Sequence, residues 1–129
     1  MLLLIAEDDQ ISRKVLSLHL SSFGEVTVTK NGREAVEAVN QSLESDQRSY
    51  NLICLDIMMP EMDGQEALRQ IRALEENAGI DASDRATIVM TTALSDSKHY
   101  VSALQDDCDG YLVKPIRRQD LNQLIQQLT

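Results

Sequence analysis

Two groups of acidic residues stand directly behind apolar runs in this sequence. Glu7, Asp8 and Asp9 follow Leu2–Ala6, and Asp56 follows Leu52, Ile53, Cys54 and Leu55. An unbroken apolar run of this length reads as a strand covered by helices on both faces of a parallel sheet. A carboxylate on the last residue of such a strand is held where the sheet opens to solvent, the crevice in which open α/β sheets bind ligands. Asp56 is therefore the candidate reactive group. Pro60 has no N–H to continue the strand, and Asp63-Gly64 reads as a helix N-cap with its first residue, so the chain turns away and leaves Asp56 at the lip.

The elements that must position these acids follow one pattern. After the first strand, Ile11, Val15 and Leu18 mark a helix by their spacing of four and three. Residues 26–29 alternate apolar and polar, which suits a strand at a sheet edge. Asn31-Gly32 opens a second helix on Val36, Val39 and Leu43, and residues 44–50 form a polar connector to the Asp56 strand. Ala67, Leu68, Ile71 and Leu74 define a third helix, followed by a hydrophilic segment, residues 75–85. A fourth strand covers residues 87–92, with a weaker fourth helix on Val101 and Leu104. The fifth strand, residues 111–113, exits through Lys114-Pro115, and Leu121, Leu124, Ile125 and Leu128 form the apolar stripe of a fifth helix. Strand and helix thus alternate five times. This predicts an α/β fold of the flavodoxin-like (βα)5 kind, a doubly wound parallel sheet in strand order 2-1-3-4-5. In that order strands one and three flank the switch point, and both end in acid.

Composition narrows the function. At 129 residues the chain makes one domain, residues 1–129, with a single core. Cys54 and Cys108 are far apart and lack a C-x-x-C pattern, which suits reduced thiols in a cytoplasmic protein. The apolar start is too short for a signal peptide and has no basic residue ahead of it, and no stretch is long enough to span a membrane. Twenty-one acidic residues against 12 basic ones give a net charge of −9, which repels phosphate backbones and anionic lipid. Nucleic acid and membrane are excluded as partners.

If the fold holds, Glu7, Asp8 and Asp56 converge at one end of the sheet. Two carboxylates about 4 Å apart repel by roughly 4 kcal/mol at an effective dielectric of 20, so the cluster needs a proton or a cation. Mg²⁺ fits, because it takes oxygen from one or two carboxylates and keeps room for phosphate oxygens. The competing structural reading is a set of solvated acids capping a helix N-terminus. Alternation along the fourth strand lets only one of Thr91 and Thr92 face the site, and Thr92, followed by small Ala93, lies nearer the lip. Lys114 ends the fifth strand, where an ammonium pairs with carboxylate or phosphate. A cation site, a carboxylate nucleophile, a hydroxyl and a lysine are the parts for phosphoryl transfer to aspartate.

With these residues in order, the chain resembles a response-regulator receiver domain of two-component signalling, of the single-domain chemotaxis or phosphorelay type. The resemblance rests on Glu7-Asp8 after strand one, Asp56 with Met59-Pro60 and Asp63-Gly64, Thr92-Ala93, and Tyr111-x-x-Lys114-Pro115. It implies that Asp56 accepts a phosphoryl group from a phosphohistidine on a sensor histidine kinase or a histidine phosphotransfer protein. Asp8, Asp56 and the backbone carbonyl of Met58 would bind Mg²⁺, with Glu7 acting through water; Arg13, five residues after Asp8, favours Glu7-Asp8 over Asp9 as the acidic pair. Lys114 would hold a phosphate oxygen, with a cis bond to Pro115. Thr92 would bond the phosphate while Tyr111 turns inward, switching the surface of the fourth helix, fifth strand and fifth helix for a downstream protein. The other reading of Tyr111 is an aromatic on an edge strand. Such a domain is a phosphoacceptor, not a turnover enzyme.

The sequence departs from a minimal receiver at a few points. Met58 and Leu94, two residues after Asp56 and Thr92, are apolar and cannot orient an attacking water, which predicts slow phosphate loss. Residues 44–50 and 75–85 read as solvated loops. His19 and His99 read as helix residues without ligand or nucleophile spacing, although His99 and Tyr100 lie on the helix that would present the output surface. The sequence stops just past the fifth helix pattern, which fits a single-domain receiver or a segment of something longer. Three other readings compete: a receiver-like docking module without phosphate, a flavodoxin-like nucleotide or flavin binder, and an aspartyl phosphatase or phosphotransferase. The binder wants N–H donors where this chain has Glu-Asp-Asp, and the phosphatase or phosphotransferase wants a second acid where it has Met58.

Overall fold

A computed structural model describes residues 1–46, 49–93 and 108–128. The five strands are β1 (Leu2–Ala6), β2 (Glu25–Thr29), β3 (Leu52–Asp56), β4 (Thr87–Ala93) and β5 (Gly110–Lys114). They form one parallel sheet in the order β2-β1-β3-β4-β5, the order expected from the strand and helix pattern. The helices are α1 (Gln10–Leu20), α2 (Gly32–Gln41), α3 (Gly64–Asn77) and a C-terminal helix (Arg118–Leu128). A π-helical turn, Ser42–Asp46, extends α2. The expected fourth helix, with Val101, Leu104, His99 and Tyr100, lies outside the described residues, as does Leu94.

Side-chain alternation in the strands divides the core into two layers. One layer joins Leu4, Ile53, Leu55, Ile88 and Met90 to Ala35 and Val39 of α2 and Ala67, Leu68 and Ile71 of α3. The other joins Leu3, Ile5, Leu52, Cys54 and Val89 to Leu16 and Leu20 of α1 and Leu121 and Ile125 of the C-terminal helix. Covering both faces of the sheet is what makes the strand runs continuously apolar.

Local chemistry fixes where the helices begin. Asn31 and Asp63 cap α2 and α3, their side chains accepting the N–H of Glu34 and Glu66 at 2.8 and 3.0 Å. Asp9 does the same for α1, accepting from the N–H of Ser12 at 2.9 Å and its hydroxyl at 2.8 Å. In α1 the expected apolar face is reversed. Ile11 and Leu18 are 74% and 69% exposed and Val15 is exposed too, while Leu16 and Leu20 are buried. Two apolar stripes share this helix, and the sheet takes Leu16 and Leu20. The hydrophilic segments also needed correction. Residue 75 still belongs to α3, and its carboxylate is buried; Tyr50 packs into the core. Both positions were expected in solvated loops.

Candidate functional site

The alternation that fills the layer under α1 and the C-terminal helix continues past the last apolar residues into polar ones. Glu7 follows Leu3 and Ile5, Asp56 follows Leu52 and Cys54, and Lys114 follows Leu112. All three reach the C-terminal edge of the sheet on the same face. Past Asp56 the backbone stays tied to the sheet, with the Ile57 N–H donating to the Thr91 carbonyl at 3.0 Å. The chain then loops through Glu61, whose φ of 66° is left-handed, and comes back on itself. There the Gly64 N–H donates to the Ile57 carbonyl at 2.9 Å, and a Cβ on Gly64 would collide with the Asp56 carbonyl oxygen. Glycine at the start of α3 is therefore what lets the helix close against the Asp56 backbone.

Glu7, Asp8 and Asp56 each offer a carboxylate oxygen within 4.8 Å of the others. Glu7 and Asp56 are buried and Asp8 is exposed. Asp9 belongs elsewhere, as the cap of α1, and the acids that gather with Asp56 are Glu7 and Asp8. Arg13 holds that pair's backbone, donating to the carbonyls of Glu7 and Asp8 at 3.1 and 2.9 Å.

Lys114 is the one cation bridging the cluster among the described residues. Its Nζ donates to Glu7 Oε1 and Asp56 Oδ2, both at 3.0 Å, and lies 2.8 Å from Glu7 Oε2 in an ion-pair contact outside hydrogen-bond angles. The peptide bond to Pro115 is cis, as the resemblance implied. Burial pushes the Glu7 carboxyl up to about 7, its hydrogen bond with Asp56 adds to the rise, and Lys114 opposes both. Burial alone would lower the Lys114 ammonium, but its bonds to Glu7 and Asp56 win and raise it. One proton or one lysine does not neutralise three acids, and a hard divalent cation with oxygen ligands fits the donor set.

The remaining candidates stand around this centre. The Met58 N–H donates to Asp56 Oδ1 at 3.3 Å, and the Met58 side chain is exposed at the rim. Thr92 is buried one residue beyond the register partner of Asp56, and its hydroxyl donates to the Ala93 carbonyl at 3.2 Å. Tyr111 is half exposed on β5, the edge strand. Thr91 is the residue that sequence reasoning set aside. It pairs directly with Asp56 in the β3–β4 register, is 1% exposed, and its hydroxyl has no hydrogen-bond partner among the described residues. Leaving a hydroxyl in that condition costs about 1–3 kcal/mol.

A parallel doubly wound sheet gathers three carboxylates and a lysine at its open end, a donor set suited to a hard cation. The response regulator receiver domain model matches residues 3–126, and the chain belongs to that family, the receiver domains of two-component signalling. It is 32% identical over 125 residues to hybrid signal transduction histidine kinase L of Dictyostelium discoideum, covering 96% of this chain and 7% of that protein. It is 31% identical over 127 residues to regulatory protein VanRB of Enterococcus faecalis, covering 98% of this chain and 51% of that one. The chain thus spans about half or less of the length of these relatives. Among solved structures it is similar to the receiver domain of sensor histidine kinase PA1611 from Pseudomonas aeruginosa, described with a magnesium ion in its active-site cleft. That match has a TM-score of 0.77 and 28% identity, and covers 98% of this chain and 94% of the other. A CheY-like receiver domain from Methylobacillus flagellatus shares the fold, with a TM-score of 0.79 at 21% identity, over 100% of this chain and 98% of that one. Among the described residues no helix is long and apolar enough to cross a membrane.

Proposed function

We propose that residues 1–129 act as one receiver unit in a phosphorelay, taking a phosphoryl group on Asp56 from a phosphohistidine of a sensor histidine kinase or a histidine phosphotransfer protein. The observation that carries this reading is the Asp56 carboxylate buried beside Glu7, within 4.8 Å of the Glu7 and Asp8 oxygens and bonded to Lys114 at 3.0 Å. A carboxylate oxygen of Asp56 forms the new P–O bond as the P–N bond of the donor breaks, its electron pair staying on the imidazole nitrogen. Asp8, Asp56 and the Met58 backbone carbonyl would hold Mg²⁺, with Glu7 acting through water. When bound, the ion neutralises charge on the phosphoryl oxygens and on the acids. Lys114 then moves from Asp56 to a phosphoryl oxygen. The phosphoryl group is held, not turned over, so the domain is a switch and not an enzyme.

The switch runs through Thr92 and Tyr111. The Thr92 hydroxyl trades its local bond to Ala93 for a phosphoryl oxygen, and Tyr111 turns inward from its half-exposed position on β5. Moving a two-state equilibrium from 1:99 to 99:1 takes about 5.5 kcal/mol. Bonds to charged groups give about 1.5–3 kcal/mol each, so Lys114, Thr92 and a backbone amide suffice. The output partner is a protein that reads β5, the C-terminal helix and the stretch outside the described residues where a fourth helix is expected, and the net charge of −9 argues against nucleic acid. The free thiols of Cys54 and Cys108 suit the reducing cytoplasm.

Exposed apolar side chains beside the site suit a protein donor. Ile11 and Val15 line a groove of about 200 Å³ with Ser12, Leu16, Lys114, Pro115 and Ile116, and a helical donor would cover it while presenting histidine to Asp56. The test is intact-mass analysis after incubation with acetyl phosphate and Mg²⁺. The expected result is one added phosphoryl group on the wild-type protein, lost with hydroxylamine and absent in Asp56→Asn. An unmodified wild-type protein would instead mean a receiver-like docking module without phosphate chemistry.

A further inference from the structure

The side chain directly across the sheet from Asp56 is Thr91, not Thr92. Strand pairing matches Asp56 with Thr91, and parallel neighbours in register point the same way, so their Cβ atoms stand about 5 Å apart. Thr91 also continues the face of Val89, just as Asp56 continues that of Cys54 and Glu7 that of Ile5. Four strands therefore send Glu7, Asp56, Thr91 and Lys114 to one face at one end. Three of these side chains are bonded to one another. The fourth, Thr91, is 1% exposed with a hydroxyl that lacks any partner among the described residues. Valine has the same shape. Elsewhere in the sheet a buried threonine on β2 is satisfied: the Thr29 hydroxyl donates to the Ile5 carbonyl at 2.7 Å.

We propose that the Thr91 hydroxyl is a positioning donor for the Asp56 carboxylate, idle while Lys114 occupies Oδ2 and engaged when Lys114 leaves for a phosphoryl group. This deepens the phosphoacceptor reading and rests on it. In the resting arrangement Asp56 Oδ1 accepts from the Met58 N–H and Oδ2 from Lys114. Once the lysine moves, Oδ2 loses its donor while Oδ1 keeps the Met58 N–H. A hydroxyl fixed one strand away restores a donor from the buried side without moving any backbone. It keeps the reacting carboxylate turned towards the open edge of the sheet. A hydroxyl unsatisfied in one state and used in another is the kind of local cost that functional sites carry.

The experiment compares Thr91→Val, which keeps the shape, with Thr91→Ser, which keeps the hydroxyl, both in the full chain. Acetyl phosphate with Mg²⁺ probes the chemistry, melting without donor probes the resting state, and beryllofluoride with Mg²⁺ probes the phosphoryl-like state by its melting shift. Thr91→Val is expected to melt at or above wild type, yet to be phosphorylated about tenfold more slowly and to gain less from beryllofluoride. Thr91→Ser is expected to stay within about twofold of the wild-type rate. A Thr91→Val protein that matches wild type in rate and beryllofluoride shift overturns the proposal, as does one that melts well below wild type, because the hydroxyl would then be bonded at rest. If wild type itself takes up no phosphoryl group, the phosphoacceptor reading has failed; if wild type is modified and Thr91→Val keeps pace, only the role of Thr91 has failed.

Discussion

The two ends of the sheet each hold a cluster of charged side chains, built on opposite terms. At the end where β4 and β5 begin, two acids meet two arginines. Arg72 bridges Glu75 Oε1 at 2.8 Å and Asp109 Oδ2 at 2.9 Å, and donates to the Ala86 carbonyl at 2.8 Å. The remaining capacity of the acids is also used. Glu75 Oε2 accepts the Ala86 N–H at 2.7 Å, Asp109 Oδ2 accepts the Ile88 N–H at 2.9 Å, and Arg85 lies 3.7 Å from Asp109 Oδ1. At the other end Glu7 and Asp56 share Lys114 with Asp8 beside them, Glu7 holds its proton up to about 7, and a nearby hydroxyl is orphaned. A balanced, satisfied network pins α3 to the sheet; an unbalanced one is ready to take up charge.

The contrast is broken most severely at the satisfied end. Arg72→Ala leaves Glu75 buried without its cation, and losing one partner of such a pair costs about 3–5 kcal/mol. For a chain of this size that lowers the melting temperature by roughly 10 °C or more. The magnesium response at the far end should survive, and melting with and without Mg²⁺ checks both.

A smaller effect of opposite character is expected at the unsatisfied end. Glu7 has a folded value of about 7 against an ordinary 4.5, so its protonated form is favoured in the folded state. The stability this contributes is fully present below about pH 4.5 and is lost as pH rises through about 7. Metal-free protein should therefore melt lower at pH 8 than at pH 6, and Glu7→Gln should flatten that slope. A wild-type slope of the other sign would show that Lys114 dominates the site.

The smallest expected effect lies on the exposed rim. Ile11→Asp should slow phosphotransfer from a phosphohistidine protein about 5- to 30-fold, the effect of losing 1–2 kcal/mol of docking. The rate with acetyl phosphate should not change. Equal slowing with both donors would place Ile11 in the chemistry instead of the docking.

Much of this was legible in the sequence, and what was not has physical reasons. Acids directly behind apolar runs located Glu7, Asp8 and Asp56, because a strand buried on both faces has nowhere to put a charge except its end. The caps at Asn31 and Asp63 and the edge position of β2 were readable from local residue types. The face of α1 was not: Ile11, Val15 and Leu18 make a helical stripe as regular as Leu16 and Leu20, and only packing on the sheet chooses between them. Glu75 looked like loop because acids are rarely buried, and the arginine that permits it is recognisable only with Ala86 and Asp109 around it. Thr91 was passed over for Thr92 because strand alternation says that one of two neighbours faces a site, whereas the β3–β4 register says which one stands opposite Asp56.

The central claim is that the acids at the open end are left short of positive charge so that a divalent ion can bind there. Its most direct test is a magnesium titration of wild-type protein at pH 8, followed by thermal melting, with Asp56→Asn alongside. The account expects a saturable rise in melting temperature at millimolar Mg²⁺, much reduced in Asp56→Asn. A wild-type melting temperature that does not move with magnesium, or an Asp56→Asn protein that rises as much, would contradict it.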